Sequence, residues 1–255
     1  MRIVVKVGSS TLSHATGKVN LRFMDGLCRV LADLKNAGNE VILVSSGAIA
    51  MGVSKLSLPS RPADIPTKQA AAAVGQCELM YTYDKFFGEY NQTVAQILLT
   101  ADDVANSERR THFENTLERL IAFGAVPVIN ENDTIATKEI AVGDNDTLAA
   151  IVAVSVRADL LVLLTDIDGL YTCDPRKNKE AVLLSEVREI TPEIMCSAGG
   201  SGTSLGTGGM CTKLQAAKMC MENGMDMVIA KGENPAILYD IEEGKSAGTR
   251  FIGKR

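Results

Sequence analysis

The sequence predicts an α/β protein, a three-layer αβα sandwich around a mostly parallel open sheet. Three observations carry that prediction. Short apolar runs of strand type recur along the 255 residues, at Ile3–Val7, Val41–Val44, Val94–Leu99, Val126–Ile129, Leu160–Thr165 and Met227–Ala230. They are rich in β-branched and aliphatic residues and do not alternate with polar ones, as expected of strands covered on both faces. Stretches of helical periodicity lie between them, and that alternation places helices on both faces of one sheet. The composition supplies a core: 46% of residues are hydrophobic and the net charge is only −5. A chain of this size buries roughly three quarters of its unfolded surface, so a disordered chain is excluded.

Taken in order, the first strand ends at Gly8. Asn20 then caps a helix whose apolar positions Leu21, Met24, Leu27, Cys28, Leu31 and Leu34 keep a 3.6-residue period, and Gly38 ends it. Further helices are expected from Pro66 to about Tyr90, Glu108 to Phe123, Thr147 to Arg157 and Met210 to Asn223. Thr249–Ile252 is a candidate last strand. Two segments read as loops. Residues 54–68 hold three of the seven prolines, and residues 199–209 hold six of the 22 glycines. The second has little side chain to bury and a high backbone entropy cost, so it is expected to be mobile. No internal repeat or low-complexity linker divides the chain, and one domain spanning residues 1–255 is expected.

Composition also excludes function classes. Aromatics are 4%, Trp is absent and the balance is acidic, against a nucleic-acid partner. Cysteines 28, 77, 173, 196, 211 and 220 include no Cys-x-x-Cys pair, and His14 and His112 stand apart, so no zinc motif is present. Scattered thiols suit a reducing cytoplasm. The N-terminus is broken by Lys6 too early for a signal peptide. The apolar stretch Leu148–Val156 falls far short of the roughly 20 residues that span a membrane. The chain is expected to be cytoplasmic, with no membrane partner.

Ligands of an open α/β sheet bind at the carboxyl ends of its strands. Four strands are followed there by Gly8-Ser9-Ser10, Ser45-Ser46-Gly47-Ala48, Asn130-Glu131-Asn132-Asp133 and Asp166-Ile167-Asp168-Gly169. Lys6 sits inside the first apolar run. Either it snorkels to water at the strand end, or it aims a charge at a bound phosphate that Gly8 admits to the backbone. The glycine-rich run ends Thr207-Gly208-Gly209-Met210-Cys211-Thr212-Lys213 before a helix. That is either a surface loop or an anion cradle of free N–H groups reinforced by Lys213. It matches neither Walker A nor Gly-x-Gly-x-x-Gly. Residues 130–146 gather five acids against one base, Lys138, around an excursion at Thr134–Val142 that reads as a hairpin. Asp146 is either an N-cap or a carboxylate that positions lysine or Mg²⁺. Asp166-x-Asp168-Gly169 is not a calcium loop, because Lys177 holds the twelfth position. Cys211 has no histidine in the rim motifs to activate it and reads as a small residue. Arg109 and Arg110 read as a solvated helix face.

Together VVKVGSSTL (4–12), VSSGAIAMG (44–52), INENDT (129–134), GDNDTLAA (143–150), LLTDIDGLYTCDP (163–175) and TGGMCTKL (207–214) resemble the signature set of the glutamate 5-kinases, in the amino acid kinase superfamily. The matches are ordered and run from residue 4 to 214. The resemblance implies the amino acid kinase fold, with a glutamate-binding N-terminal part and an ATP-binding C-terminal part. It implies transfer of a phosphoryl group from ATP, with Mg²⁺, to the γ-carboxylate of L-glutamate, the first step of proline biosynthesis. Catalytic roles then fall on Lys6 and Lys213, which hold the transferring group, on Asp146, which organises them, and on Asp144, which supports Lys6. Ser46, Gly47 and Ala48 would receive the substrate carboxylate, Asp133 its amino group, and Asn130 and Asn145 also glutamate. Nucleotide contacts would come from Lys6, Gly8, Ser9, Thr165, Asp166, Thr207, Gly208, Gly209, Met210, Cys211, Thr212 and Lys213. No residue is assigned as a resident metal ligand. The resemblance further implies proline as feedback inhibitor, a homo-oligomer (dimer or tetramer) and handover to γ-glutamyl phosphate reductase. Many such enzymes carry a C-terminal PUA domain, and with one kinase domain expected over the 255 residues, none is expected here. Two rival readings remain. One is another superfamily kinase acting on a different carboxylate or phosphate; the other is a nucleotide-binding non-enzyme on the same fold.

Overall fold

A computed structural model describes residues 1–14, 16–136, 145–176, 178–197 and 209–254. Eight strands form one sheet in the order β3-β4-β2-β1-β5-β7-β8-β6. They are β1 (Arg2–Val7), β2 (Glu40–Ser45), β3 (Val94–Leu99), β4 (Val126–Glu131), β5 (Leu160–Thr165), β6 (Glu186–Val187), β7 (Asp226–Lys231) and β8 (Thr249–Phe251). Every pairing is parallel except β7 with β8. The six runs read from sequence are all strands of this sheet, lengthened by one or two residues at some ends.

The described helices are α1 (Ser9–Leu12), α2 (Leu21–Asn36), α3 (Ala48–Lys55), α4 (Ile65–Glu89), α5 (Ala101–Ala105), α6 (Ser107–Ala122), α7 (Asn145–Ser155), α8 (Pro192–Ser197), α9 (Met210–Glu222) and α10 (Ile237–Glu242). Asn20 caps α2 as expected, its side chain accepting from the Phe23 N–H at 3.2 Å. Two cores lie on the two faces of the sheet. Ile3, Val5, Val7, Leu43, Val162 and Leu164 pack with Leu27 and Leu31 of α2 and with Leu79, Tyr83 and Phe87 of α4. Val4, Ile42, Leu161 and Leu163 pack on the other face with Ala149, Val152 and Ala153 of α7 and Leu214 and Ala217 of α9. The period of two along β1 therefore sends Lys6 to the face of Val4, toward α7 and α9.

One local expectation needs correction, and two elements had no reading from sequence. After β2, α3 starts at once. Gly47 turns the chain with φ of +108°, a conformation that a side chain would strain, and Ala48 to Lys55 then wind one short helix. The proline-rich loop is correspondingly shorter, 56–64, and Pro66 lies in the first turn of α4, where its missing N–H costs nothing. The two-residue β6 carried no readable pattern, because it is held by pairing with β8 rather than by an apolar run of its own. The expected Thr134–Val142 hairpin and the 199–209 glycine run lie mainly outside the described residues.

Candidate active site

The central strand β1 is flanked by β2 and β5. The chain leaves β1 toward β2 on one side and later fills β5 and β7 on the other. The carboxyl ends therefore open a crevice at a topological switch point. Lys6 stands at the end of β1, Ser46 and Gly47 follow β2, Asn130 and Glu131 close β4, and Thr165 closes β5. The N-termini of α7 and α9 bring Asn145, Asp146, Thr212 and Lys213 to the same rim.

At one end of the crevice, Asp146 joins two lysines. Lys6 Nζ donates to its Oδ1 at 2.5 Å, and Lys213 Nζ to its Oδ2 at 3.0 Å. Thr212 Oγ1 donates to the same Oδ2 at 3.1 Å. All three charges are withdrawn from water: Lys6 is 9%, Lys213 7% and Asp146 1% exposed. Burial pushes the Asp146 carboxyl up, but the two ammonium groups outweigh it and hold it below the usual carboxylate range. Burial and pairing bear on the readings of both residues. Lys6 does not snorkel, and Asp146 lies in the first turn of α7 with its carboxylate given to the lysines. The triad keeps a net charge of one positive unit. The α9 N-terminus adds N–H groups, and its N-cap residue Gly209 has no side chain to cap them. Cys211 is exposed there. Thr165 Oγ1 donates to Asp166 Oδ1 at 3.0 Å at the end of β5. Gly8 and Ser9 lead from β1 into α1, with Gly8 positioned 3.8 Å (as its absent Cβ) from Lys6 Nζ.

At the other end, neutral amides form a chain. Asn145 Nδ2 donates to Ser46 Oγ at 2.7 Å and to Asn130 Oδ1 at 3.1 Å. Asn130 Nδ2 donates to Gln76 Oε1 at 2.9 Å, and Asn130 Oδ1 also accepts the Glu131 N–H at 2.9 Å. Two buried atoms of this chain have no hydrogen-bond partner among the described residues, Asn145 Oδ1 and Gln76 Nε2. Asp133 follows in the turn after β4. Burial pushes its carboxyl up to about 6, against the pull of Arg61.

The sequence-derived residues thus assemble on one rim, with Asp144, Thr207 and Gly208 lying outside the described residues. Gln76 was missed. It holds an apolar-stripe position of α4, in step with Ala72, Leu79 and Tyr83, and a polar residue on a buried stripe is the signal that marks it. Arg109 and Arg110 are exposed as read, with Arg109 donating to Asp103 at 2.9 Å. Among the described residues no group of three or more His, Cys, Asp or Glu could hold a metal ion. No described helix is long and apolar enough to cross a membrane.

Residues 1–231 match the family model described as the amino acid kinase family. The chain is 54% identical to the glutamate 5-kinase of Clostridium perfringens, covering 100% of this chain and 96% of that one. It is 52% identical to the glutamate 5-kinase of Listeria monocytogenes, covering all of this chain and 94% of the relative. For that of Carboxydothermus hydrogenoformans the identity is 56%, over all of this chain and 68% of the relative. Among solved structures, UMP kinases from Bacillus anthracis and Ureaplasma parvum superpose with TM-scores of 0.65 and 0.66 at 14% and 16% identity, over 96% and 98% of those chains. At that identity the likeness is one of fold.

Proposed function

The chain belongs to the amino acid kinase family, in its glutamate 5-kinase branch, and from that premise we infer that it transfers the γ-phosphoryl group of ATP to the γ-carboxylate of L-glutamate. The products are ADP and L-glutamyl 5-phosphate. The observation that carries this reading is the Lys6–Asp146–Lys213 triad at the switch point of the sheet. Two ammonium groups held rigidly in a buried crevice suit a group transfer that spreads negative charge over phosphoryl oxygens.

The chemistry needs little else. A glutamate γ-carboxylate has an ordinary pKa of about 4.3, so it is an ionised nucleophile at neutral pH. One of its oxygens forms the new bond to phosphorus, the bond from that phosphorus to the bridging oxygen of ADP breaks, and no proton moves. A general base is unnecessary, which suits a rim without histidine. Lys6 and Lys213 hold the phosphoryl oxygens, and Asp146 fixes where both ammonium groups point. Gly8, Ser9 and the α9 N-terminus receive phosphates, with Thr165 and Asp166 alongside the nucleotide. Magnesium enters as part of the substrate MgATP, bound mainly through its phosphates.

The amino acid end is held by complementary groups. Ser46 and the backbone at Gly47 and Ala48 receive a carboxylate. Asp133 and the unpaired Asn145 Oδ1 take the ammonium. Proline carries the same ammonium and carboxylate pair, so it would compete at this end as a feedback inhibitor. The test is an incubation with MgATP, single amino acids and hydroxylamine. Glutamate-dependent hydroxamate, trapped from the acyl phosphate, is the expected result; hydroxamate from other amino acids only, or from none, would overturn the reading.

A further inference from the structure

We propose that Gln76 is a positioning residue for substrate recognition. It orients the Asn130 and Asn145 amides so that Asn145 turns an oxygen toward the substrate ammonium. The inference rests on the glutamate reading above and adds a residue and a selectivity device to it.

The argument starts from one donor that cannot be reversed. The backbone N–H of Glu131 points at Asn130 Oδ1 at 2.9 Å. That N–H fixes which end of the Asn130 amide is oxygen. Asn130 Nδ2 must then face Gln76, and it finds Oε1 there at 2.9 Å. Asn130 Oδ1 also faces Asn145, so Asn145 must present Nδ2, at 3.1 Å. With both of its donor contacts used on Asn130 and Ser46, Asn145 is left with Oδ1 unpaired and buried. The chain of amides therefore has a direction, and its open end is an acceptor. An ammonium group is a fitting ligand for such an end, and a carboxylate is not.

Gln76 is the second anchor of that direction, because it takes the Asn130 Nδ2 hydrogen that would otherwise have no acceptor. Its own backbone is clamped. A Cβ at the neighbouring Gly75 would stand 1.8 Å from the Ala48 carbonyl oxygen, so α4 passes in backbone contact with the start of α3. Ser46 and Ala48 belong to the same short segment. The contacts close a ring from Ser46 through Asn145, Asn130 and Gln76, across Gly75 to Ala48 and back. A ring of this kind cannot adjust one member alone. Gln76 is 8% exposed and leaves Nε2 unpaired, which costs stability rather than adding it. A residue kept for core stability alone would be apolar at this stripe position. Its Oε1 is what the position uses.

The experiment compares Gln76→Met with Gln76→Glu, both close to glutamine in length. Met removes the acceptor; Glu keeps a carbonyl oxygen for Asn130. The readouts are the glutamate KM, the ATP KM, kcat, and the inhibition constant of glutarate, which is glutamate without its amino group. Gln76→Met should raise the glutamate KM about tenfold, the scale of one lost hydrogen bond, with kcat and the ATP KM within about threefold. The glutarate inhibition constant should stay within about twofold, because no ammonium is there to lose its partner. Gln76→Glu should hold the glutamate KM within about threefold of the parent. The proposal is overturned if Met leaves the glutamate KM unchanged, if it weakens glutarate as much as glutamate, or if Glu behaves like Met. Gln76→Leu supplies the same comparison if the Met variant does not fold. Parent enzyme that forms no glutamate-dependent hydroxamate would instead strike the glutamate reading itself, so the two failures are separable.

Discussion

At the Lys6 end of the rim, three charges are paired with one another inside the protein; at the Asn130 end, a chain of neutral amides stops short of satisfying itself. Both ends are buried and both draw on residues far apart in sequence. The difference follows from what each must do. A phosphoryl group in flight needs fixed positive charge that does not reorganise, and two lysines held in place by a buried carboxylate suit that need. An amino acid needs to be told apart from its relatives, and open hydrogen-bond valences do that best, because a wrong ligand leaves them unfilled. On the proposed function, the charged end is the closed, catalytic one and the amide end the open, selective one.

Asp146→Asn should give the largest effect. It leaves two buried ammonium groups facing a neutral amide, and removing one partner of such a cluster costs about 3–5 kcal/mol. Urea denaturation of parent and variant checks it. The pH dependence has a definite sign. The Asp146 carboxyl is held below its ordinary range in the folded protein. Its stabilisation is therefore complete above the ordinary carboxylate value of about 4 and fades as the pH falls below it, so the gap should narrow in acid. A gap that stays constant down to pH 3 would mean that the charges do not carry the effect.

Lys213→Ala separates catalysis from folding at the same end. Asp146 keeps Lys6, so no charge of the cluster is stranded. We expect kcat to fall by about 10²–10³, the scale of one lost transition-state charge partner, with the glutamate KM within a few-fold. An unchanged kcat with a raised ATP KM would move Lys213 from the reaction to nucleotide binding.

Asp133→Asn probes the open end. The expected loss is an increase of about 10–100-fold in the glutamate KM, the scale of a hydrogen bond to a charged group, with kcat little changed. Burial raises this carboxyl to about 6. The parent's glutamate KM should therefore climb as the pH falls through 6 and the ammonium loses its counter-charge. Without substrate the sign for stability reverses. An acid whose folded pKa is raised weakens the fold progressively above its ordinary value, and the penalty is complete above about pH 6. The Asn variant should then melt no lower than the parent at pH 8 and match it near pH 4. A pure kcat loss would contradict the assignment.

Much of this was legible in the sequence because each legible piece is local. Buried parallel strands announce themselves as apolar runs, and Lys6 stands out only because the run Ile3–Val7 is otherwise apolar. The rim residues follow strand ends, so finding the strands found Ser46, Asn130 and Thr165. What escaped was set by tertiary approach. α3 is one short helix whose start depends on the turn at Gly47 and on Gly52 and Gly75 letting two backbones touch. Gln76 gains its role from Asn130, 54 residues away. The pairing of Asp146 with both lysines depends on which faces of β1, α7 and α9 meet, which residue types alone left open between a cap and a charge partner.

Tyr83→Phe should have the smallest effect, and it tests where scaffold ends and site begins. Tyr83 is completely buried on α4, and its hydroxyl lies 2.8 Å from Ser45 Oγ, which itself donates to the Ser46 carbonyl at 2.9 Å. Ser45 uses its hydrogen on Ser46, so the tyrosine is the donor of the pair. Losing that hydroxyl leaves the Ser45–Ser46 bond intact and removes one neutral hydrogen bond, worth about 1 kcal/mol, or roughly 2–4 °C in Tm for a chain of this size. The ring remains to fill the core, so no cavity opens. The glutamate KM should stay within twofold, since Ser46 Oγ is held by Asn145 rather than from beneath. A tenfold rise would place the α4 core inside the recognition ring, and the contrast between a catalytic end and a selective end would then have to include the packing that carries both.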